Sequence, residues 1–200
     1  DQVVLIDLPF DFNTIEGQED YETQIGTLAH RLGAGDLAKF DTFAVFLTDH
    51  SDPVCGDLHY TVNNKGADTT AEVLKLLFPP QLTKFFKRGK RNTLTLLICG
   101  AAIAHTEARK AFVKVANSGW FSWIKAFGQA DFQPWFSHQL IMQATISWFI
   151  HDKRWDALLQ DHSALGAHTD LYLFSPPGKI RKFMWSHVVA KPFGKRAPVQ

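Results

Sequence analysis

Apolar and polar positions divide the chain into short continuous apolar runs and longer amphipathic segments. A continuous apolar run is typical of a strand that is covered on both faces, whereas apolar residues at helical spacing indicate a helix. We predict strands at residues 2–8, 43–48, 94–99, 122–128 and 168–174. We predict helices at residues 20–32, 70–77, 81–87, 106–117, 135–150 and 155–159. This alternation predicts an α/β fold in which helices flank a mainly parallel sheet.

Several boundaries carry local signals. Thr69 or Thr70 can cap a helix that Pro79-Pro80 then ends. The segment at residues 57–62, DLHYTV, is rich in β-branched and aromatic residues and predicts a small hairpin strand. The pattern assigns no element to the basic tail at residues 176–200.

Length and composition indicate one domain. A chain of 200 residues with 46% apolar and 13% aromatic content can bury a full core. No internal repeat or low-complexity tract interrupts it. We therefore expect a single domain over residues 1–200, and because the sequence begins at Asp1 rather than Met, we expect this domain to be part of a longer chain.

The charge pattern bears on partners. A formal net charge of +1 argues against a general polyanion binder. Residues 1–100 carry 9 basic and 14 acidic side chains, and residues 101–200 carry 12 and 6, which complementary halves of one domain or a ligand would explain. The basic turn at residues 84–91 reads as a solvated connection, so we do not expect nucleic acid as a partner. The tail at residues 176–200 is a candidate surface for a protein partner.

Cysteine content and hydropathy bear on location. Two cysteines, Cys55 and Cys99, are too few for a disulfide framework, and the N-terminus does not resemble a signal peptide. The longest uncharged stretch, between Asp131 and Asp152, includes Pro134 and several polar residues, which favours a buried helix over a membrane span. We therefore expect an intracellular, cytoplasmic protein that does not bind a membrane.

A histidine and a cysteine terminate two of the predicted strands. The run at residues 43–48 leads into Asp49 and His50, and the run at residues 94–99 ends in Cys99. Catalytic groups collect at the carboxyl ends of strands in an open parallel sheet. If the two strands are neighbours, about 5 Å apart, the imidazole and the thiol face one substrate. A cysteine needs a base to become a nucleophile, so this pair suits a cysteine hydrolase.

The order of these elements resembles the caspase-type cysteine peptidase superfamily, which includes caspases, metacaspases, legumains and CHAT-type domains. An apolar strand ends in His, a loop and hairpin follow, and after a helical insertion an apolar strand ends in Cys. The likeness is to legumain-type sequences at Thr48-Asp49-His50, with Asp57-Leu58-His59 in the hairpin. It spans residues 2–117 in element order. The resemblance implies a three-layer caspase-like fold and a peptide or protein substrate, with no metal and no cofactor.

Carried over to this chain, the resemblance assigns roles to single residues. His50 is the general base and Cys99 is the nucleophile. The backbone of Ser51, Cys99 and Gly100 lines the reaction site, and the amides of Ser51 and Cys99 donate to the oxyanion. Asp49 supports the site.

Two positions depart from the family pattern. Ser51 replaces the usual glycine after the histidine, where the backbone approaches the substrate closely. Leu97 replaces an acidic or amide residue that helps to shape the substrate pocket. The histidine and cysteine pair favours an active cysteine endopeptidase, whereas these departures favour a catalytically silent caspase-like domain that regulates or binds another protein.

A zinc site competes for the same residues. His50, Cys55, His59 and Cys99 could supply two nitrogens and two sulfurs to a tetrahedral ion. The spacing lacks the tight pair of cysteines of structural zinc sites, so we do not expect a metal.

Overall fold

The computed structural model describes residues 2–61, 66–89, 91–129, 137–151 and 169–184. The strands are β1 (Ala44–Thr48), β2 (Leu58–His59), β3 (Ala67–Asp68), β4 (Thr93–Leu97), β5 (Trp123–Phe127), β6 (Leu171–Ser175) and β7 (Lys179–Phe183). The helices are α1 (Ile15–Ala34), α2 (Thr70–Leu77), α3 (Pro80–Phe86), α4 (Ala101–Ala104), α5 (Thr106–Asn117) and α6 (His138–Phe149).

Five strands form the main sheet in the order β1-β4-β5-β6-β7. β1, β4 and β5 pair in parallel, and the pairs β5–β6 and β6–β7 are antiparallel. Four strands therefore run in one direction and β6 runs in the other. The expected α/β fold with a mostly parallel sheet is confirmed, and the carboxyl ends of β1, β4 and β5 share one rim.

Apolar clusters cover both faces of the sheet. The larger cluster packs helices α1, α2, α3 and α5 against one face, and the smaller cluster packs α6 against the other. On β5, Ile124 and Ala126 join the larger cluster while Phe127 joins the smaller one, because successive strand residues point to opposite faces. The sheet is therefore the middle of three layers.

Lys125, on the same strand, is also buried, and burial lowers the pKa of its amine to about 7.

Threonine side chains cap two of the helices at their first turns. The Thr14 hydroxyl accepts a hydrogen bond from the Gly17 amide at 3.0 Å, so α1 begins before the predicted residue 20. Thr69 caps α2 by accepting from the Glu72 amide. Of the two predicted caps, Thr69 is the one used.

The predicted first strand is wrong. Residues 2–8 form no strand, and Val3 and Leu5 are 90% and 93% exposed. An apolar run becomes a strand only where a neighbouring strand supplies backbone partners. Here the segment lies beside α1 instead, and the Gln24 amide donates to the Pro9 carbonyl at 3.4 Å.

The basic tail begins with a strand that the pattern did not predict. β7 pairs with β6 across a turn that contains Gly178, whose φ is +61°. The predicted helix at residues 155–159 and the tail beyond residue 184 lie outside the described residues. Within the ranges that the structure describes, no helix combines the length and apolarity needed to cross a bilayer.

Candidate active site

The sheet brings His50 and Cys99 together. β1 and β4 are parallel neighbours in a register that places Thr48 opposite Leu97. His50 and Cys99 follow these two residues at the same distance along each strand. The Cys99 Sγ atom lies 3.9 Å from the His50 Nδ1 atom, with His50 exposed and Cys99 half-buried. The neighbouring strand ends inferred from the sequence are therefore present.

This contact suits proton transfer from sulfur to nitrogen. A distance of 3.9 Å is at the long end for a hydrogen bond that involves sulfur. Catalytic hydrogen bonds are commonly long before the substrate binds and shorten in the reacting complex. An imidazole that accepts the thiol proton leaves a thiolate, the reactive form of cysteine.

Ser51 links the two loops that carry the pair. Its hydroxyl donates to the Cys99 carbonyl at 3.0 Å and accepts from the Ala102 amide at 3.3 Å. On its other side, Ser51 forms an isolated antiparallel bridge with Leu58, flanked by a bond from the His59 amide to the His50 carbonyl at 3.1 Å. Within the described ranges, no hydrogen bond uses the backbone amide of Ser51 or Cys99. An amide without a partner is the kind of group that an oxyanion site uses.

The Gly100 amide differs from the amides of Ser51 and Cys99 because it already has a hydrogen-bond partner. Its amide donates to the Gln129 carbonyl at 2.7 Å and so does not point to a substrate oxygen. A Cβ atom on Gly100 would lie 2.4 Å from the carbonyl carbon of Gly128, closer than any side chain can come. The turn after Cys99 therefore needs glycine, because the backbone of the next loop packs directly against it.

The loop after β5 packs against the turn at Gly100, next to Cys99, and the sequence analysis missed this contact. The Thr169 hydroxyl accepts from the amides of Gly128 and Gln129, each at 3.1 Å, and donates to the Asp170 carbonyl. Thr169 is only 4% exposed. The available signal was positional, since Gly128 follows a strand whose carboxyl end belongs to the same rim.

Asp49 supports the backbone of His50, and no bond joins it to the imidazole. One carboxylate oxygen accepts from the His50 amide at 2.7 Å. The other oxygen is buried without a partner among the described residues. Burial raises the pKa of the carboxyl to about 7, against the lowering effect of the His50 amide.

Leu97 packs into the sheet. It is half-buried and contacts the smaller cluster under α6, the cluster that contains Phe127 and Leu140. Any pocket that Leu97 shapes is therefore apolar on this side.

The residues of the zinc hypothesis do not assemble. Cys55 is exposed, and its thiol donates to the Asp52 carboxylate at 3.3 Å. Nδ1 of His59 is buried without a partner in the described part of the chain. All four candidate ligands lie in described segments, yet no group of three histidine, cysteine or acidic residues there is arranged to hold a metal. The four side chains therefore form no metal-binding group in these segments, and Asp52 holds the Cys55 thiol within its own turn.

Asp52 closes the turn that contains Cys55. Its carboxylate accepts from the amides of Val54 and Cys55 at 2.7 and 2.9 Å. These bonds, of which the one from the Cys55 amide has the larger effect, hold the pKa of the Asp52 carboxyl below its usual value.

Comparisons of the chain with protein-family models, curated proteins and solved structures found no match. The functional interpretation accordingly depends on the residues and geometry of this site.

Proposed function

We propose that the protein is a cysteine endopeptidase of caspase-like fold in which His50 and Cys99 form the catalytic dyad. The observation that carries this proposal is the 3.9 Å contact between the two side chains at adjacent parallel strand ends. The chain order, histidine strand before cysteine strand, is the order of the family that the sequence resembles. The three-layer arrangement of the sheet and helices agrees with it.

The residues account for each step of peptide hydrolysis. His50 takes the proton from the Cys99 thiol, and the thiolate attacks the scissile carbonyl carbon. The unused amides of Ser51 and Cys99 donate to the oxyanion that forms. The imidazolium then protonates the leaving amine, which departs and leaves a thioester on Cys99. His50 next takes a proton from water, whose oxygen attacks the thioester and releases the carboxylic acid and the free thiol.

The proposed substrate is a peptide or protein. Leu97, two residues before Cys99, packs its apolar side chain against the smaller cluster, so specificity for a basic side chain receives no support at this position. A free catalytic thiol suits a reducing compartment, and we propose a cytoplasmic location with it.

The basic C-terminal region is the proposed surface for a protein partner. Its described part, β7, is largely exposed and carries Lys179, Arg181 and Lys182. Lys182 pairs with Asp170 at 2.8 Å, and the Arg181 guanidinium lies 4.9 Å from the centre of the Trp123 ring. The aromatic contact holds Arg181 in place at the surface.

Cleavage of a complex peptide mixture tests the proposal. The protein is incubated with peptides from a digested proteome, and new termini are identified by mass spectrometry. Wild-type protein and Cys55→Ser should cut the same set, while Cys99→Ala and His50→Ala should cut none. Added hydroxylamine should trap the thioester as a peptide hydroxamate that ends at the cleaved bond.

The second candidate is a silent caspase-like domain that binds or regulates another protein. The apolar Leu97 and the engaged Gly100 amide favour this candidate, since both reduce the polar groups offered to a substrate. A folded wild-type protein that cuts no peptide and forms no hydroxamate would select it.

A further inference from the structure

Ser51 has a side-chain role that a glycine at this position cannot have. Its hydroxyl is at once a donor to the Cys99 carbonyl and an acceptor from the Ala102 amide. The residue is 6% exposed, so loss of either bond would leave a buried polar group without a partner. The two bonds therefore hold the loop that contains His50 at a set distance from the turn that contains Cys99.

The same two residues supply the proposed oxyanion donors. The Ser51 amide and the Cys99 amide have no other partner in the described segments, and the 3.0 Å bond from Ser51 Oγ to the Cys99 carbonyl connects their residues directly. On its other side, the His50 carbonyl accepts a hydrogen bond from the His59 amide. One hydroxyl thus connects the base, the nucleophile and both donors.

We propose that Ser51 is a positioning residue whose hydroxyl sets the distance between the His50 imidazole and the Cys99 thiol. This inference rests on the proposed function and assigns to Ser51 a task beyond its backbone amide. Serine at position 51, in place of the glycine usual in the family, has less backbone freedom but provides a hydrogen bond to the Cys99 carbonyl. The hydroxyl acts through its neighbours and does not touch the reacting atoms, unlike the backbone amide of the same residue.

The test measures alkylation of Cys99 by iodoacetamide against pH in a Cys55→Ser background, where Cys99 is the single thiol. Ser51→Ala and Ser51→Gly remove the hydroxyl, and Ser51→Thr keeps it. Ser118→Ala is the matched control, because the Ser118 hydroxyl also donates to one carbonyl, of Val115, and accepts from one amide, of Trp120. Ser118 lies at the opposite end of β5 from the dyad.

We expect Ser51→Ala and Ser51→Gly to slow alkylation about tenfold near pH 6, with a pH profile shifted towards that of His50→Ala. Ser51→Thr and Ser118→Ala should keep the parent profile. Thermal unfolding of each variant identifies those that fold, and either hydroxyl-deleting variant suffices for the comparison.

The outcomes separate this inference from the proposed function. If the parent reacts faster than His50→Ala and Ser51→Ala keeps the parent profile, the positioning role is overturned while the dyad stands. If the parent and His50→Ala share one profile, the dyad and the positioning role fail together. A shift that Ser118→Ala reproduces would reduce the Ser51 effect to general stability and would also overturn the inference.

Discussion

Cys99 and Cys55 carry the same side chain but face different neighbours. The Cys99 thiol is half-buried and faces an imidazole at 3.9 Å. The Cys55 thiol is exposed and faces the Asp52 carboxylate at 3.3 Å. The Asp57 backbone lowers the pKa of the Cys55 thiol, but the carboxylates of Asp57 and Asp52 together raise it by more. The net pKa therefore lies above the usual value of a cysteine. The first thiol has an imidazole within reach, whereas the second lies beside carboxylates that disfavour its thiolate.

The two loops are also built differently. The Cys55 turn is local, since Asp52 closes it and its last residue, Gly56, has a φ of +78°. The Cys99 turn is held from outside by Ser51 of one loop and Gln129 of another. Long-range support of this kind sets a side chain against a partner that is remote in sequence, as a catalytic site requires.

The sharpest contrast between the loops comes from removing the imidazole. His50→Ala deletes the base that distinguishes Cys99 from Cys55. We expect the rate of peptide cleavage to fall by about 100-fold or more, because a positioned general base contributes about 10²–10⁴. The exposed His30 on α1 provides the control, and His30→Ala should cleave at the wild-type rate, as followed by chromatography of a cleaved peptide. A His50→Ala enzyme as fast as wild type would remove the difference between the two cysteines.

The next effect concerns the external support of the Cys99 turn. Gly100→Ala places a Cβ atom 2.4 Å from the Gly128 carbonyl carbon, and we expect it to lower the free energy of unfolding by about 1–3 kcal/mol. Gly26→Ala is the control, since a Cβ there meets nothing within 4 Å and should stabilise α1 by about 0.5–1 kcal/mol. Urea unfolding measures both. Equal stability of Gly100→Ala and wild type would show that the two loops do not pack as described.

A smaller effect is expected from Asp49, beside the dyad. Its pKa is about 7 in the folded protein and about 4 in the unfolded chain, so the folded state binds the extra proton between these values. Stability from this residue should fall as pH rises from about 4 to 7. Asp49→Asn keeps an acceptor for the His50 amide and should be more stable than wild type at pH 8 by about 1 kcal/mol.

Urea unfolding at pH 5 and pH 8 compares Asp49→Asn with Asp20→Asn, a change on the exposed surface of α1. The Asp20 variant should follow wild type at both values. If Asp49→Asn shows no gain at pH 8, burial does not destabilise the Asp49 carboxylate.

The smallest effect is expected for Cys55. Because the side chain is exposed and its turn is closed by Asp52, Cys55→Ser should change the free energy of unfolding by less than about 0.5 kcal/mol. Peptide cleavage should stay at the wild-type rate. Loss of cleavage in Cys55→Ser would assign chemistry to a loop that lies outside the proposed dyad.

Hydropathy alone predicted most of the elements and the pair at the strand ends. β1 and β4 could be recognised because each lies in a short, largely apolar run, although only β4 is buried along most of its length. Their ends are adjacent because the two strands pair in parallel. The same reasoning failed at residues 2–8, where the apolar run lacks a pairing strand. It also missed β7, whose three basic side chains are typical of an exposed edge strand.

The finer features of the site depend on tertiary contacts that no local pattern encodes. Nothing near Ser51 in the sequence indicates that its hydroxyl meets the Cys99 carbonyl, 48 residues away. The contact between Gly100 and Gly128 likewise joins turns from different strands. Sequence reasoning selected the proposed catalytic groups, whereas their spacing is decided by how three loops pack at one rim.

The pH dependence of Cys99 alkylation tests the dyad most directly. Iodoacetamide is added to Cys55→Ser protein from about pH 5 to pH 9, with and without the further change His50→Ala. The dyad predicts rapid reaction below pH 7 that disappears with the imidazole. Identical profiles in the two proteins would contradict it, because Cys99 would then react without any help from His50.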